Sequence, residues 1–372
     1  MPTQQTTILV LVAIALLLMN YLTLKGAFHP PYRVTTAQYR LGVAFILLFC
    51  VFSFWGTDWF HYLEAFPILQ SGYNNSNIED VYVWIAQNLS PNYLVFRLVI
   101  WGSAFFLYLQ IIKRLSVSRD LALCLFGCIF VIWFSYARVS LAMVLAYYGM
   151  ALLYKPYQKR LFSYILAVIC IAVSFYFHKS ALFGIAMVFM TVLTRQFGNK
   201  VLLLFILLFP LGVYMAQSFI VDMLASEADM MEGDIGTYLA VGQRYMEVER
   251  GQSGIGGLFV RFFERFQYYW VAFLCLRVGT SGVIERVPDD IKAFMRLTFF
   301  IVLSASVFAF DLNVNTSTIY TRFLRFAAVP SVIVLAYMYK EGLFPKLTRK
   351  AIFFAFFSTI CSVGYSLYNT IV

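Results

Sequence analysis

Apolar runs of about 15–20 residues recur from one end of the chain to the other, and alternate connections between them are rich in Lys and Arg. They lie at about 7–24, 41–56, 93–112, 121–136, 139–154, 161–177, 180–194, 201–219, 258–276, 293–311, 323–339 and 351–369. A run of this length crosses a hydrocarbon core of roughly 30 Å as a helix. In lipid the backbone must satisfy its own hydrogen bonds, so the spanning form is helical. The expected fold is an all-α polytopic membrane protein of about twelve transmembrane helices, forming one transmembrane domain over residues 1–372. Composition agrees. Only 12% of residues are charged, against about 25% in soluble domains, and the mean hydropathy is +0.78.

The net charge of +10 would suit nucleic acid if it formed a patch. It is instead scattered over short turns, which marks topology, and no nucleic-acid partner is expected. Alternate connections, beginning with 25–40, hold eighteen of the 28 Lys and Arg but five of the 18 acids. The positive-inside rule makes that side cytoplasmic and both termini extracytoplasmic. Two long connections then face outward. One, 57–92, begins TDWFHYLEAF and continues IEDVYVWIAQNL; its aromatic content suits a segment lying in the interface. The other, 220–257, is acidic, and long loops in compact proteins are commonly functional. The six cysteines, Cys50, Cys124, Cys128, Cys170, Cys275 and Cys361, each lie in an apolar run and read as small hydrophobes. No ligand set converges at metal spacing, so neither metal nor cofactor is expected.

The stretch Phe134 to Leu182 poses the functional question. Runs Val139–Tyr154 and Leu161–Phe177 flank the tight basic turn KPYQKR. Such a pair runs antiparallel, which sets Arg138 and His178 at the same membrane face. A cation near hydrocarbon costs roughly 2.5–3.5 kcal/mol on insertion scales, so it needs a partner or a role. Further arginines fall on the outward side against the positive-inside bias: Arg97, Arg244, Arg250, Arg261, Arg265, Arg322 and Arg325. Arginine grips phosphate oxygens in pairs, and the set points to an anionic pocket sized for phosphate or pyrophosphate. The competing reading pairs these arginines with Glu264, Asp311, Asp58 and lipid headgroups.

Acid–base candidates are few. His178, beside Lys179, and Asp58 are the two possible bases, and either fits. If the segment after Thr57 is helical, Asp58, His61 and Tyr62 share a face. No nucleotide-binding loop, nucleophile elbow or metalloprotease helix occurs. An enzyme of this kind needs a substrate already activated and delivered in lipid.

Four local pieces carry a resemblance: GTDWFHYLEAF at 56–66, ARVSLAMVLAYYG at 137–149, FHKSAL at 177–182 and YTRFLRFAAVP at 320–330. They are similar, in order, to the Gly-x-Asp-Tyr-x-x-Tyr stretch, the Arg-x-x-hydrophobic-Ala segment, the Phe-His-x-Ser-Ala turn and the late arginine-bearing helix of Wzy-type polysaccharide polymerases, EpsG-like branch. Trp59 stands where that family carries Tyr. The resemblance implies a glycosyltransferase in the bacterial inner membrane that polymerises repeat units on undecaprenyl pyrophosphate at the outer face. It implies lipid-linked donor and acceptor oligosaccharides as substrates, and chain-length regulator and flippase proteins as partners. His178 and Asp58 would then act on the acceptor hydroxyl. Arg97, Arg138, Arg322 and Arg325, with Arg244, Arg261, Arg265, His61 and Tyr62, would bind substrate. An O-antigen ligase and a flippase or transporter share the architecture, although the paired broken helices of many transporters are not evident.

Overall fold

The computed structural model describes residues 35–52, 57–72, 78–129, 137–178, 181–197, 255–307, 320 and 323–371, with the single positions 204 and 208. The described residues are all-helical, without a strand. Twelve α-helices are described: α1 (Thr36–Phe52), α2 (Thr57–Gln70), α3 (Asp80–Asn88), α4 (Tyr93–Arg114), α5 (Arg119–Ile129), α6 (Ala137–Tyr154), α7 (Arg160–Phe177), α8 (Ala181–Phe197), α9 (Ile255–Gly279), α10 (Asp289–Val307), α11 (Ala328–Lys340) and α12 (Pro345–Ile371). A short 3-10 helix, Gly282–Arg286, joins α9 to α10.

Ten of the twelve apolar runs carry a helix. The runs at 7–24 and 201–219 lie outside the described residues, apart from the two single positions in the second. Among the described residues, three helices are both long and apolar enough to cross a membrane: Tyr93–Arg114, Arg160–Phe177 and Phe323–Lys340. Thr36–Leu48, Arg138–Tyr154 and Ala181–Gln196 are shorter apolar helices.

Helix α6 is at the centre of one half of the molecule, packed by α4, α7 and α8 with α10 beyond. Most of its side chains are buried and none of those described is exposed, and apolar residues surround its axis, as an enclosed helix requires. Helix α7 is different. It buries a single stripe, Ser163, Ala167, Cys170 and Ser174, and turns Leu161, Phe162, Ile165, Val168 and Tyr176 outward. Small residues let two helices approach closely where lipid offers no hydrophobic drive for association. Gly149 of α6 is the point of closest approach. A Cβ there would stand 2.8 Å from the Ala167 carbonyl oxygen and 2.7 Å from Ile171 Cγ1.

Helix α11 forms the second centre, buried along its length against α5, α10, α12 and α9. Aromatic rings seal α9 to α12, with Phe263 edge-on to Phe357 at 5.0 Å and Trp270 against Phe354 at 5.4 Å. Among the described residues, Cys124, Cys170, Cys275 and Cys361 are free thiols, and Cys170 and Cys275 are buried.

The 57–92 connection is helical over most of its described residues. It forms α2 and α3, which pack on one another. Tyr62, Phe66 and Leu69 of α2 and Tyr82, Ile85 and Ala86 of α3 are buried. Phe66 docks on Phe96 and Tyr93 of α4, with ring centres 5.4 and 6.0 Å away. Leu63, Ile68 and Trp84 remain exposed on the far side. The long 220–257 connection lies outside the described residues except for its last three positions.

Candidate functional site

The register of α6 and α7 sets the first two site residues at the same level. Gly149 lies eleven residues after Arg138, and Ala167 lies eleven before His178. The packing that seats Ala167 on Gly149 therefore sets His178 opposite Arg138. His178 is the C-cap of α7 with an extended backbone, and its carbonyl accepts from the Ala181 N–H at 2.9 Å, which starts α8. Its side chain is half-buried.

The α2–α3 unit closes over this end of the hairpin. Glu79, the residue preceding α3, accepts from Arg138 NH1 at 2.9 Å. The pair is shielded, with side chains 22% and 12% exposed for Arg138 and Glu79. One turn further, the Tyr82 hydroxyl donates to the Phe177 carbonyl at 2.9 Å and so satisfies a terminal acceptor of α7. Burial pushes the Tyr82 hydroxyl well above its usual range, helped by nearby Tyr62 and Glu79 and opposed by Arg138, so it remains a donor. The Arg138 guanidinium also lies 5.6 Å from the Tyr62 ring centre. Arg138, Glu79, Tyr62, Tyr82 and the His178 turn thus form one cluster drawn from α2, α3, α6 and α7. Neither Glu79 nor Tyr82 was among the residues that sequence reasoning selected. The carboxylate on Arg138 is that of Glu79; Asp311 and the side chains of Asp58 and Glu264, the acids named from the sequence, lie outside the described residues.

Arg97 has another setting. It has no exposed surface, and it donates through Nε to the Val51 carbonyl at the end of α1 and through NH1 to the Tyr93 hydroxyl. Its guanidinium lies 4.2 Å from the Trp101 ring centre. Arginine stacked on an indole and bonded to a helix-terminal carbonyl braces α1 to α4. Its neighbour Phe96 meets the cluster, with its ring 6.4 Å from that of Tyr62.

Arg325 belongs to a turn held beside the start of α8. Phe323 stacks on Phe183 at 4.1 Å, Phe326 meets the same ring edge-on at 5.5 Å, and the Tyr147 hydroxyl donates to the Phe326 carbonyl at 2.6 Å. Arg325 is half-buried. Arg265 of α9 lies 4.8 Å from the Tyr320 ring centre, and the Tyr320 hydroxyl donates to Tyr269, which is bonded to Ser306 at 2.8 Å. Tyr82 thus ties the cluster to the end of α7 at Phe177, and Phe183 of the following helix α8 stacks on the Phe323–Arg325 turn. Arg265 joins that turn through Tyr320, three residues before Phe323.

Arg244 and Arg322 lie outside the described residues, as do the side chains of Asp58, His61 and Arg261. Among the described residues no group of three His, Cys, Asp or Glu side chains is placed to hold a metal ion.

The sequence model of the EpsG family matches residues 37–372. The chain belongs to the EpsG family. EpsG is a Wzy-like family of polysaccharide polymerases, so this is a membrane protein of a glycosyltransferase-like polymerase family. The match begins at the start of α1 and runs to the end of α12, so it includes each of the site elements above. No curated protein and no solved structure matches the chain significantly.

Proposed function

We propose that this EpsG-family protein joins oligosaccharide repeat units carried on undecaprenyl pyrophosphate, at the outer face of the bacterial inner membrane. In the reaction, an acceptor hydroxyl oxygen bonds to the anomeric carbon of the donor chain. The bond from that carbon to the pyrophosphate oxygen breaks, and its electron pair leaves with the pyrophosphate. The hydroxyl proton passes to a base, His178 or Asp58. Cations stabilise the charge that develops on the leaving group.

The observation that carries this reading is the Arg138 cluster in a chain of this family. Arg138 is a fork-shaped donor at the rim of a helix bundle, opposite the one described histidine of the hairpin. Glu79 supplies a carboxylate that holds the guanidinium in place when no anion is bound. An incoming pyrophosphate shares or displaces that carboxylate. Arg325 and Arg265, linked to the same turn system, together with Arg322, Arg261 and Arg244, extend the positive lining. Arg97 faces Val51 and Trp101, which leaves direct phosphate contact to the others. Tyr62 of α2 walls the cluster, and His61, the residue before it, would contact substrate. The lipid tail stays in the bilayer while the pyrophosphate reaches the cluster from the side.

The test is a deletion strain complemented with Arg138→Ala and Arg138→Lys. Single repeat units accumulating on lipid in the deletion, with no polymer from either variant, is the expected result, since lysine keeps charge but lacks the fork. Polymer made but left unattached in the deletion would identify a ligase. Units trapped in the cytoplasm would identify a flippase. Full polymer from Arg138→Lys would remove the paired phosphate contact.

A further inference from the structure

The hairpin has a second polar end, opposite the Arg138 cluster by about 26 Å of helix. There an open cleft of about 910 Å³ is lined by Gln110, Lys113, Arg114, Lys155, Tyr157 and Arg160, among others. Four of those six side chains are cationic, and no carboxylate lines the cleft. Asp290, the acid paired with Lys155, is 2% exposed and already engaged; it lies 3.2 Å from the Lys155 ammonium and accepts from the Ser116 N–H at 3.2 Å.

The floor of the cleft is built, not merely charged. Arg114 donates to the Lys155 carbonyl and stacks on the Tyr157 ring at 3.8 Å. Tyr157 is fixed by its hydroxyl, 3.0 Å from that of Tyr148, and by its N–H, which donates to Ser163 Oγ at 2.6 Å. The Arg114 Nε is buried and has no hydrogen-bond partner among the described residues. Lys113 and Arg160 are exposed and pair with no acid among the described residues. The cleft therefore holds uncommitted donors above a rigid cationic base.

Its surroundings select the ligand. Arg160 opens α7, and directly beyond it lies the outward apolar face of Leu161, Phe162, Ile165, Val168 and Ile169. A molecule with a phosphate at one end and hydrocarbon at the other fits both surfaces at once. A free phosphate would use only the first. Basic pockets between transmembrane helices on the side the positive-inside rule makes cytoplasmic take anionic headgroups.

We infer that this cleft is a binding site for the phosphodiester headgroup of an anionic phospholipid, whose acyl chains lie along the exposed face of α7. Lys113 and Arg160 close on the phosphate, and the Arg114 Nε supplies a donor from below.

The test uses the full chain in nanodiscs of phosphatidylcholine containing a minor fraction of phosphatidylglycerol, with bound lipid counted by native mass spectrometry. Each basic side chain beside an anionic membrane surface contributes about five-fold in binding. The double variant Lys113→Gln with Arg160→Gln should therefore weaken phosphatidylglycerol binding by about twenty-five-fold. Both side chains are exposed, so the fold is preserved. The control is Lys346→Gln with Arg349→Gln, two basic residues of the same membrane side outside the cleft, which should change binding less than two-fold. Equal losses in the two double variants would mean diffuse surface charge and would overturn the site. So would undiminished binding in Lys113→Gln/Arg160→Gln. Inorganic pyrophosphate displacing the lipid, or binding equally well in neutral detergent, would overturn the lipid assignment.

Discussion

The Arg138–Glu79 pair makes a quantitative prediction that separates support from catalysis. At 2.9 Å, two unit charges attract by about 6 kcal/mol at an effective dielectric constant of roughly 20. Desolvation offsets most of that. An exposed pair would retain about 0–1 kcal/mol, and removing one partner of a buried pair costs about 3–5 kcal/mol. With side chains 22% and 12% exposed, the pair falls between these limits, at about 2 kcal/mol. The perturbation is a double-mutant cycle of Glu79→Gln and Arg138→Gln, read by unfolding of the purified protein in one detergent. Glu79→Gln keeps the shape and an acceptor oxygen, Arg138→Gln also shortens the side chain, and the cycle cancels such single-site effects to leave the coupling. A coupling of about 2 kcal/mol is expected, with the double variant more stable than additivity predicts. A coupling below about 0.5 kcal/mol would refute the shielding. Polymer length in cells is the second readout. Glu79→Gln should retain part of the activity, because Arg138 is still present. Arg138→Gln and the double variant should make none. Polymer restored in the double variant would show that Arg138 serves only to balance Glu79.

Two further outcomes follow from the packing. Gly149→Leu should block the α6–α7 approach, where even a Cβ would stand 2.7 Å from Ile171; overpacking costs of about 1–3 kcal/mol or more are expected, and the variant should be lost from the membrane fraction, whereas wild-type levels would contradict the register. Ser71→Cys, at the exposed turn after α2, should react with an impermeant maleimide in intact cells; reaction only after permeabilisation would invert the orientation assigned from Lys and Arg.

Most helices were legible because lipid writes a strong signal. Apolar runs bounded by basic turns coincide with α4, α6, α7 and α8 within about two or three residues, the ordinary scatter of helix ends. The α2–α3 unit was harder. Tyr62, Phe66 and Leu69 recur at helical spacing, yet Asp58, Glu64, Glu79 and Asp80 break any run of spanning length. Charge thus hid a docked pair of helices inside an apparent loop. The Arg138–His178 level was readable because a tight turn fixes antiparallel depth. The Glu79 contact was not, since it joins residues 59 apart and periodicity carries no lateral information. Arg97 shows the same limit. Tyr93 and Trp101 stand one turn either side of it and announce a stacked arginine, but only the Val51 carbonyl, from another helix, shows it turned into the core.

The enclosure of α6 also bears on how the chain is made. This helix emerges midway through synthesis, when α4 exists but α7, α8 and α10 do not. Its partners arrive on both sides of it in time, and the last of them nears the carboxyl end. Until then its glycine and alanine faces, shaped for close neighbours, meet only lipid or the insertion machinery. Prompt pairing with α7 through Gly149 gives the nascent helix its first companion, and α10 completes the enclosure more than a hundred residues later. A chain shortened before α10 is therefore not a smaller version of the protein but an unfinished one, with its central helix uncovered on one side and within reach of quality-control proteases.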